Sequence, residues 1–277
     1  MNLRIGYSPC PNDTFIFYAL THGLVPLEGE TVTPVVEDVE TLNRRALEEE
    51  SLDVTKVSFH AFAHLRDRYA LLHTGAALGR GCGPIIVSKE RVEPEELGEM
   101  RIAIPGTYTT ANLLLKLYDP GIRKTVPMPF DRIMPAIVSG EVDCGVIIHE
   151  ARFTYPDLGL REMIDLGSWW EEETGYPIPL GAIIAKRKYK RDLLHKIDHW
   201  IRESIEYALK KPREPMEYIK RHASEMNEEI IWRHINLYVN RETLEISEEG
   251  IDAVRCLIEM GEERELIPQT KRPLFIE

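Results

Sequence analysis

The chain has 277 residues, of which 43% are hydrophobic and 29% charged, and its formal net charge at neutral pH is −12. This length and apolar content suffice for two lobes with a core each, so a disordered chain is excluded. The acidic balance and the lack of a long Lys/Arg cluster argue against a nucleic-acid partner, because phosphate binding needs a basic face. We therefore expect a small-molecule ligand.

The start of the chain predicts a cytoplasmic protein. Residues 1–9 enter a strand-like run directly, without the basic and apolar regions of an export signal. Charged residues interrupt every apolar stretch, so we expect no membrane-spanning segment and no membrane partner. The cysteines Cys10, Cys82, Cys144 and Cys256 are far apart and lack CxxC spacing, which predicts reduced thiols and no zinc site.

Short β-branched runs alternate with helical patterns through the first 186 residues. This alternation is typical of parallel sheets built from β-α-β units. The predicted strands are residues 3–6, 33–36, 54–57, 84–88, 101–104, 125–129, 145–148 and 182–185. From residue 189 onward the pattern is helical.

A weak internal repeat relates residues 1–60 to residues 100–150. Each segment opens with a strand, breaks at a Pro-containing loop and enters a helix, at Thr14 or at Thr110. Each then continues through a second strand and a second helix to a third strand. Two copies of a β-α-β-α-β unit predict an α/β, two-lobed, solute-binding-protein-like fold, with two mixed or parallel sheets, flanking helices and a central ligand cleft.

The repeat also predicts how the chain divides. We assign residues 1–84 and 183–277 to a large first lobe and residues 85–182 to an inserted second lobe, with hinge strands near 84–88 and 182–186. Ligands of open α/β sheets bind beyond the carboxyl ends of the strands, so both lobes should direct those ends at one cleft.

The loop after the first predicted strand is the first candidate region. It contains Ser8, Asn12 and Asp13, and its prolines restrict the backbone. These polar groups would face the cleft, whereas the alternative is a rigid turn in which Asn12, Asp13 or Thr14 caps the next helix. Cys10 has no histidine or basic neighbour in the sequence, so we do not expect a catalytic thiolate.

The corresponding loop of the second repeat is a candidate anion site. Gly106 precedes Thr109, Thr110 and Ala111 at a predicted helix start. Free backbone N–H groups and the helix dipole favour a carboxylate there, and the threonine hydroxyls would add donors. The alternative is ordinary capping by Thr109 or Thr110, because capping and anion binding use the same geometry.

The end of the third predicted strand offers a further polar group. Ser58 follows an apolar strand, and Lys56 and Val57 come just before it. Alternation along the strand places Lys56 and Ser58 on the same side, where a ligand oxygen would meet a hydroxyl and a positive charge. The alternative role for Ser58 is a helix cap.

His149 is the strongest candidate for chemistry. It follows the apolar run 145–148, so its imidazole is predicted at the carboxyl end of a strand, facing the cleft. A histidine changes charge near neutral pH and can remove a proton from a bound substrate. We therefore predict that His149 is a general base, with the adjacent Glu150 as a secondary candidate.

Other histidines and aromatic residues are weaker candidates. His60 with His64, and His195 with His199, have i,i+4 spacing but no evident third ligand, so we expect solvent-facing or cap-adjacent side chains. For the remaining aromatic residues, core packing is commoner than a place in a ligand pocket. These residues are Phe153, Tyr155, Trp169 and Trp170.

Three segments carry a resemblance to a known family. They are SPCPNDTF at residues 8–15, EDVETLN at residues 37–43 and GVIIHEARFTY at residues 145–155. With these segments the chain closely resembles the 1,4-dihydroxy-6-naphthoate synthases of the futalosine route to menaquinone, over residues 3–275. The resemblance implies a periplasmic-binding-protein-like type II fold and conversion of cyclic dehypoxanthine futalosine to 1,4-dihydroxy-6-naphthoate, without a metal or an organic cofactor.

The same resemblance implies residue roles. The family's general base corresponds to His149, and its substrate contacts correspond to Lys56-Val57-Ser58 and Thr110-Ala111. Under this hypothesis the substrate carboxylate docks on the second-lobe helix start and on Ser58, while His149 removes a proton and begins a carbon–carbon bond fragmentation. The alternatives are chorismate dehydratase, of the same fold and pathway, and a non-catalytic protein that binds a small carboxylate.

Overall fold

The structure, a computed structural model, describes residues 1–91 and 94–277 and contains two β-sheets with flanking helices. Its strands, in chain order, are β1 (Asn2–Tyr7), β2 (Thr31–Val36), β3 (Val54–Ser58), β4 (Tyr69–Leu71), β5 (Ala77–Gly79), β6 (Ile85–Ser88), β7 (Ile102–Ile104), β8 (Thr125–Pro127), β9 (Cys144–Ile147), β10 (Arg161–Asp165) and β11 (Ile178–Lys186).

The helices pack on both sheets. In chain order they are α1 (Pro11–Thr21), α2 (Val39–Arg44), α3 (Phe59–Ala63), α4 (Thr110–Tyr118), α5 (Phe130–Ser139), α6 (Ala151–Thr154), α7 (Leu166–Thr174), α8 (Arg191–Lys210), α9 (Met216–His222), α10 (Glu228–Tyr238), α11 (Arg241–Leu244) and α12 (Glu248–Glu263). A π-helical turn, Arg45–Glu49, continues α2, and 3-10 turns span Pro94–Glu99 and Tyr155–Leu158. No helix in the described ranges is long and apolar enough to cross a membrane.

Both sheets are mixed and share one arrangement of parallel strands. The first has the order β2-β1-β3-β11-β4, with β5 also paired to β11, and the second has the order β10-β6-β9-β7-β8. In each, the first strand of the repeat lies between the other two and runs parallel to both, as β2-β1-β3 and β8-β7-β9. The predicted pair of β-α-β-α-β units is therefore confirmed.

Antiparallel strands complete the two sheets. In the first sheet β11 runs antiparallel to β3, so that Gly181 pairs with Ser58 at the end of β3. In the second sheet β6 runs antiparallel to both β9 and β10. The sheets divide the chain where β6 begins, at Ile85, and where β11 begins, at Ile178. The lobe limits and hinges given above stay predictions.

The core is shared between the sheets. One buried apolar cluster includes Phe59 of α3, Tyr69 of the first sheet, Ile102 and Val146 of the second, and Leu257 of α12. Burying apolar area of this kind is the main favourable term in folding. The shared cluster therefore joins the two sheets.

One helix start differs from the prediction. Helix α1 begins at Pro11 rather than at Thr14, and Cys10 is its N-cap residue without a side-chain cap bond. Proline is favourable at the first helical position because its missing N–H would be unpaired there anyway. The predicted helix entry at Thr14 is therefore wrong, and the alternative in which Asn12, Asp13 or Thr14 caps this helix does not hold.

Candidate active site

A cavity lies between the two sheets. It contains about 660 Å³ of space that no atom fills, part of it continuous with solvent. Its walls come from β3 and β11, from the loops after β1 and β9, and from the start of α4. The lining residues are Ser8, Asn12, Asp13, Val39, Lys56, Val57, Ser58, Ala77, Cys82, Gly83, Pro84, Thr109, Thr110, Ala111, Ile148, His149, Leu180, Gly181 and Tyr238. All predicted site residues except Glu150 are among them.

His149 lies two residues beyond β9 and has a left-handed backbone conformation, with φ of 59°. Residues other than glycine rarely adopt it, and such strain concentrates at functional sites. The Nε2 atom of His149 lies 3.8 Å from Cys10 Sγ. Burial lowers the pKa of His149; the charge of Asp13 opposes this shift, as a negative charge on Glu150 would. The imidazole is therefore neutral at neutral pH, which is the form that accepts a proton.

A buried ion pair occupies the first-sheet side of the cavity. Lys56 Nζ lies 3.5 Å from Asp13 Oδ1 and donates to the carbonyl of Gly75 at 2.7 Å. The second oxygen of Asp13 accepts from the backbone N–H and hydroxyl of Ser8, at 3.2 and 2.7 Å. Asp13 offsets the Lys56 charge and accepts the hydrogen bond of the Ser8 hydroxyl. These three residues therefore form a fixed polar wall.

Ser58 is held from behind by Asn43, a residue that is completely buried. The Ser58 backbone N–H donates to Asn43 Oδ1 at 2.9 Å, and Asn43 Nδ2 donates to Ser58 Oγ at 3.2 Å. Although Ser58 stands at the N-cap position of α3, its side chain makes no cap bond. Since the hydroxyl accepts from Asn43, its own proton is directed toward another acceptor, which a carboxylate in the cavity would supply.

The start of α4 presents backbone rather than side-chain donors. The hydroxyl of Thr109 caps the helix, accepting from Asn112 N at 3.3 Å and donating to Gly106 O at 2.8 Å. The hydroxyl of Thr110 donates to Leu180 O at 2.6 Å. Both hydroxyl protons are thus used within the protein. The N–H groups of Thr110 and Ala111, in the first turn, remain as donors for an anion.

A second histidine lies behind the first. His234 of α10 is fully buried, and its ring lies nearly parallel to that of His149, with centroids 5.9 Å apart. Its Nε2 contacts Asn12 Oδ1 at 2.8 Å, and its Nδ1 lies 3.7 Å from Glu150 Oε2. Burial and the neighbouring His149 lower the pKa of His234 well below its usual range. Glu150 thus faces His234, outside the cavity lining.

Comparison with known proteins assigns the chain to a family. The model of a family described as menaquinone biosynthesis matches residues 3–263. The chain belongs to the menaquinone biosynthesis family. It is 50% identical, over 99% of both chains, to a protein of Thermus thermophilus named 1,4-dihydroxy-6-naphtoate synthase. A protein of Streptomyces coelicolor with the same name is 42% identical over 96% of this chain and 95% of its own.

Solved structures of other proteins show the same fold. The protein AF1704 from Archaeoglobus fulgidus superimposes with a TM-score of 0.90 at 40% identity, covering 96% of this chain and 98% of its own. The alkanesulfonate-binding protein SsuA from Xanthomonas axonopodis pv. citri, bound to MOPS, has a TM-score of 0.72 at 18% identity, over 99% and 96%. The predicted periplasmic-binding-protein-like α/β fold is therefore confirmed.

In this member of the menaquinone biosynthesis family, several site residues were absent from the prediction. Asn43 and His234 lie on helices, remote in sequence from the groups they contact, and Tyr238 and Cys82 line the cavity from equally remote positions. Asn43 ends the EDVETLN segment, which was the available signal. For the other three the sequence offers none, because only the packing of α10 and of the loop before β6 brings Tyr238 and Cys82 to the cavity and His234 against His149 behind it.

The weaker candidates have other roles. His60 is buried, so a solvent-facing position is wrong for it, but its Nδ1 lies 3.2 Å from the carbonyl of Thr109, the N-cap residue of α4. His64 is the C-cap of α3, so both histidines are adjacent to helix caps, which was the other expected position. Trp170 is fully buried in the shared core. Phe153, Tyr155, Trp169 and Trp170 are all absent from the cavity lining. Within residues 1–91 and 94–277, no group of three or more His, Cys, Asp or Glu could hold a metal ion.

Proposed function

We propose that this chain is a 1,4-dihydroxy-6-naphthoate synthase, which converts cyclic dehypoxanthine futalosine to 1,4-dihydroxy-6-naphthoate in menaquinone biosynthesis. One observation carries the residue roles: His149 lines the same cavity as Ser58 and the start of α4. A base and an anion-binding surface then face the same bound molecule. The names of the relatives at 50% and 42% identity support the same activity.

The substrate carboxylate docks between the two halves of the chain. It accepts from the N–H groups of Thr110 and Ala111, where the helix dipole favours an anion, and from the hydroxyl of Ser58. Lys56 and Val57 form the adjacent wall, together with Ser8, Asn12 and Asp13. A carboxylate held on both sides orients the reacting carbon toward His149, and movement of the lobes about the predicted hinges would exclude water.

His149 acts as the general base. The neutral imidazole removes a proton from the substrate, and the electron pair of the broken C–H bond remains on the substrate to begin its fragmentation. The sugar-derived piece leaves, and aromatisation of the remaining ring system favours the product. The reaction is that of a carbon–carbon lyase, needs no metal or organic cofactor, and takes place in the cytoplasm.

Product analysis with a base-deleted variant tests this proposal. His149→Asn removes the base, and asparagine tolerates the left-handed backbone at this position better than most residues. We expect dihydroxynaphthoate from the wild type in the presence of a metal chelator, and unchanged substrate binding without turnover in His149→Asn. His199→Gln is the matched control, because that histidine is exposed on α8.

The alternatives give different results in the same experiment. Turnover of chorismate, and not of cyclic dehypoxanthine futalosine, would assign the chain to the dehydratase of the pathway. Tight binding of a small carboxylate with no product from either compound would identify a non-catalytic binding protein. Full activity in His149→Asn would remove His149 from the mechanism while leaving the synthase assignment in place.

A further inference from the structure

The hydrogen bonds around Asn12 determine which nitrogen of His234 carries a proton. Asn12 Nδ2 donates to Asp13 Oδ1 at 2.9 Å, so the amide oxygen of Asn12 must be the atom that faces His234. That oxygen lies 2.8 Å from His234 Nε2 and can only accept. His234 therefore carries its proton on Nε2, and in the neutral ring Nδ1 is an acceptor.

That acceptor faces a second acceptor. His234 Nδ1 and Glu150 Oε2 are 3.7 Å apart, and both atoms are buried without a hydrogen-bond partner. A buried polar atom without a partner costs about 1–3 kcal/mol. Two lone pairs that face each other also repel, so an ionised Glu150 beside a neutral His234 is an unfavourable arrangement. Their separation is slightly longer than a hydrogen bond, so a small approach of the two side chains would let a single proton between them satisfy both atoms.

We propose that Glu150 and His234 hold one proton between them, as a carboxyl O–H that donates to His234 Nδ1, and that this pair is a positioning element behind the base. The proposal rests on the proposed role of His149. In this arrangement His234 keeps Glu150, the residue that follows the base in the sequence, uncharged. An ionised Glu150 without a partner would raise the pKa of the neighbouring His149 imidazole.

The neutral form of the pair agrees with its surroundings. Burial and the adjacent His149 lower the pKa of His234, so an imidazolium is disfavoured there. Asn12 is neutral and already donates to Asp13, which leaves nothing to stabilise a charged His234 from that side. The titratable and charged groups around the two histidines and Tyr238 are Cys10, Asp13, Asp38, Lys56, Cys82, Glu150 and Arg152.

The proton on the pair changes the basicity of His149. Burial lowers the pKa of His149, and a negative charge on Glu150 works against that effect. With the shared proton in place the negative charge is absent, so His149 stays neutral and able to accept a proton at a lower pH. The pair therefore sets the pH at which the base becomes protonated, without itself entering the cavity.

Two single variants and their combination test the pair. The readouts are the pH at which His149 titrates, measured by NMR in the free protein, and the pH of the acid limb of kcat/KM. Glu150→Gln resembles the protonated carboxyl, because its amide can donate to His234 Nδ1, so both readouts should stay at the wild-type pH. His234→Gln retains a donor for Asn12, and the second N–H of its amide can donate to Glu150 in place of the ring lone pair, which favours ionisation of the carboxyl. We expect both readouts to move up by about one pH unit or more.

The double variant separates this role from a structural one. In Glu150→Gln/His234→Gln no carboxylate can form, so the His149 titration should return to the wild-type pH. A merely structural role of His234 would lower stability or kcat in both His234 variants without this return. Glu141→Gln, which removes an exposed charge from the same half of the chain, is the control and should leave the titration in place.

Two further measurements, like the NMR titration of His149, need no turnover, so they remain decisive even if the proposed activity is wrong. The infrared spectrum should contain the carbonyl band of a buried protonated carboxyl group in the wild type and in Glu141→Gln, but not in Glu150→Gln. Long-range nitrogen–proton NMR should place the His234 proton on Nε2. A missing band, a proton on Nδ1 alone, or a downward shift of the His149 titration in Glu150→Gln would each overturn the proposal.

Discussion

Asn43 binds Ser58 through both ends of its amide, with the Ser58 N–H on Oδ1 at 2.9 Å and Nδ2 on the Ser58 hydroxyl at 3.2 Å. Asn43 Nδ2 also lies 3.3 Å from the carbonyl of Tyr108, in the second repeat. One buried side chain therefore orients a proposed substrate donor and contacts the opposite wall.

Replacing Asn43 should weaken substrate binding more than it weakens catalysis. In Asn43→Ala the buried N–H of Ser58 loses its partner, which costs about 1–3 kcal/mol of stability, and the Ser58 hydroxyl can rotate away from the cavity. We expect a higher KM with a smaller change in kcat, together with a lower melting temperature. Steady-state kinetics and calorimetry measure the two effects.

The control for this variant is Asn227→Ala. Asn227 caps α10 by accepting from Glu229 N, so its loss should lower stability by about 1 kcal/mol. Its position at the outer end of the helix leaves Ser58 untouched. An equal increase of KM in both variants would mean that general loss of stability, and not the orientation of Ser58, weakens binding.

The acid limb of the reaction should lie below the usual range for histidine. Burial lowers the pKa of His149 from the usual value of 6.5. The base works in its neutral form, so kcat/KM should persist as the pH falls through 6.5 and decline only at the lowered pKa. A pH profile of kcat/KM checks this. An acid limb above pH 6.5 would show that the base is charged more readily than its burial implies.

Much of this site follows from the repeat in the sequence. The repeat predicted two β-α-β-α-β units, and strand ends then pointed to Ser58 and His149, because ligands of such sheets bind beyond the carboxyl ends. The unpredicted strands are β4, β5 and β10. Two of them have only three residues, and β10 is a polar edge strand with an irregular register, so neither length nor alternation marked them.

The contacts and hydrogen-bond partners of the site residues could not be predicted from the sequence in the same way. Cys10 has no histidine near it in the sequence, yet its Sγ contacts His149, 139 positions away. The threonine hydroxyls of α4 were expected to serve a ligand, but the folded chain directs them to Gly106 and Leu180. Such choices depend on which carbonyls lie within reach, and that depends on tertiary packing.

The cysteines should react with iodoacetamide in an order set by exposure. Burial raises the pKa of Cys10 well above its usual range, and raises those of Cys82 and Cys144 to about 12. Cys256, which is only partly buried, should be alkylated first at pH 7.5, and Cys256→Ser should abolish that fast labelling. Peptide mass spectrometry identifies the site. Fast labelling of Cys10 with loss of activity would reveal a thiolate beside His149.

The buried His60 should make the fold acid-sensitive. Burial lowers its pKa from 6.5 to about 3, so the unfolded chain binds a proton at a pH where the folded chain does not. The folded state is then fully stable above pH 6.5 and loses stability as the pH falls from 6.5 toward 3. At pH 5 this amounts to about 2 kcal/mol.

A variant isolates the contribution of His60. His60→Asn keeps a small polar group near the Thr109 carbonyl but cannot titrate in this range. Its free energy of unfolding should therefore fall less between pH 7 and pH 5 than that of the wild type, by about 2 kcal/mol. Urea unfolding at the two pH values measures this difference. Parallel losses in both proteins would assign the acid sensitivity to other groups.

A contact between the two repeats should control how readily the cavity opens. Glu40 of α2 accepts the Tyr108 N–H through both carboxylate oxygens, at 3.3 and 3.2 Å. Burial raises the pKa of Glu40, so this carboxylate is held in place at a desolvation cost. The contact needs Gly106, because a Cβ at that residue would lie 2.4 Å from Glu40 Cδ.

Gly106→Ala should therefore separate Glu40 from Tyr108. We expect KM to rise by about fivefold to tenfold, which corresponds to the free energy of one or two lost hydrogen bonds. The radius of gyration from X-ray scattering should also increase. Gly140→Ala is the matched control: its φ is also positive, at 79°, but nothing lies within 4 Å of the added Cβ. Backbone strain acts in both variants, whereas only Gly106→Ala removes the contact. Unchanged KM and radius in Gly106→Ala would show that other contacts hold the cavity closed.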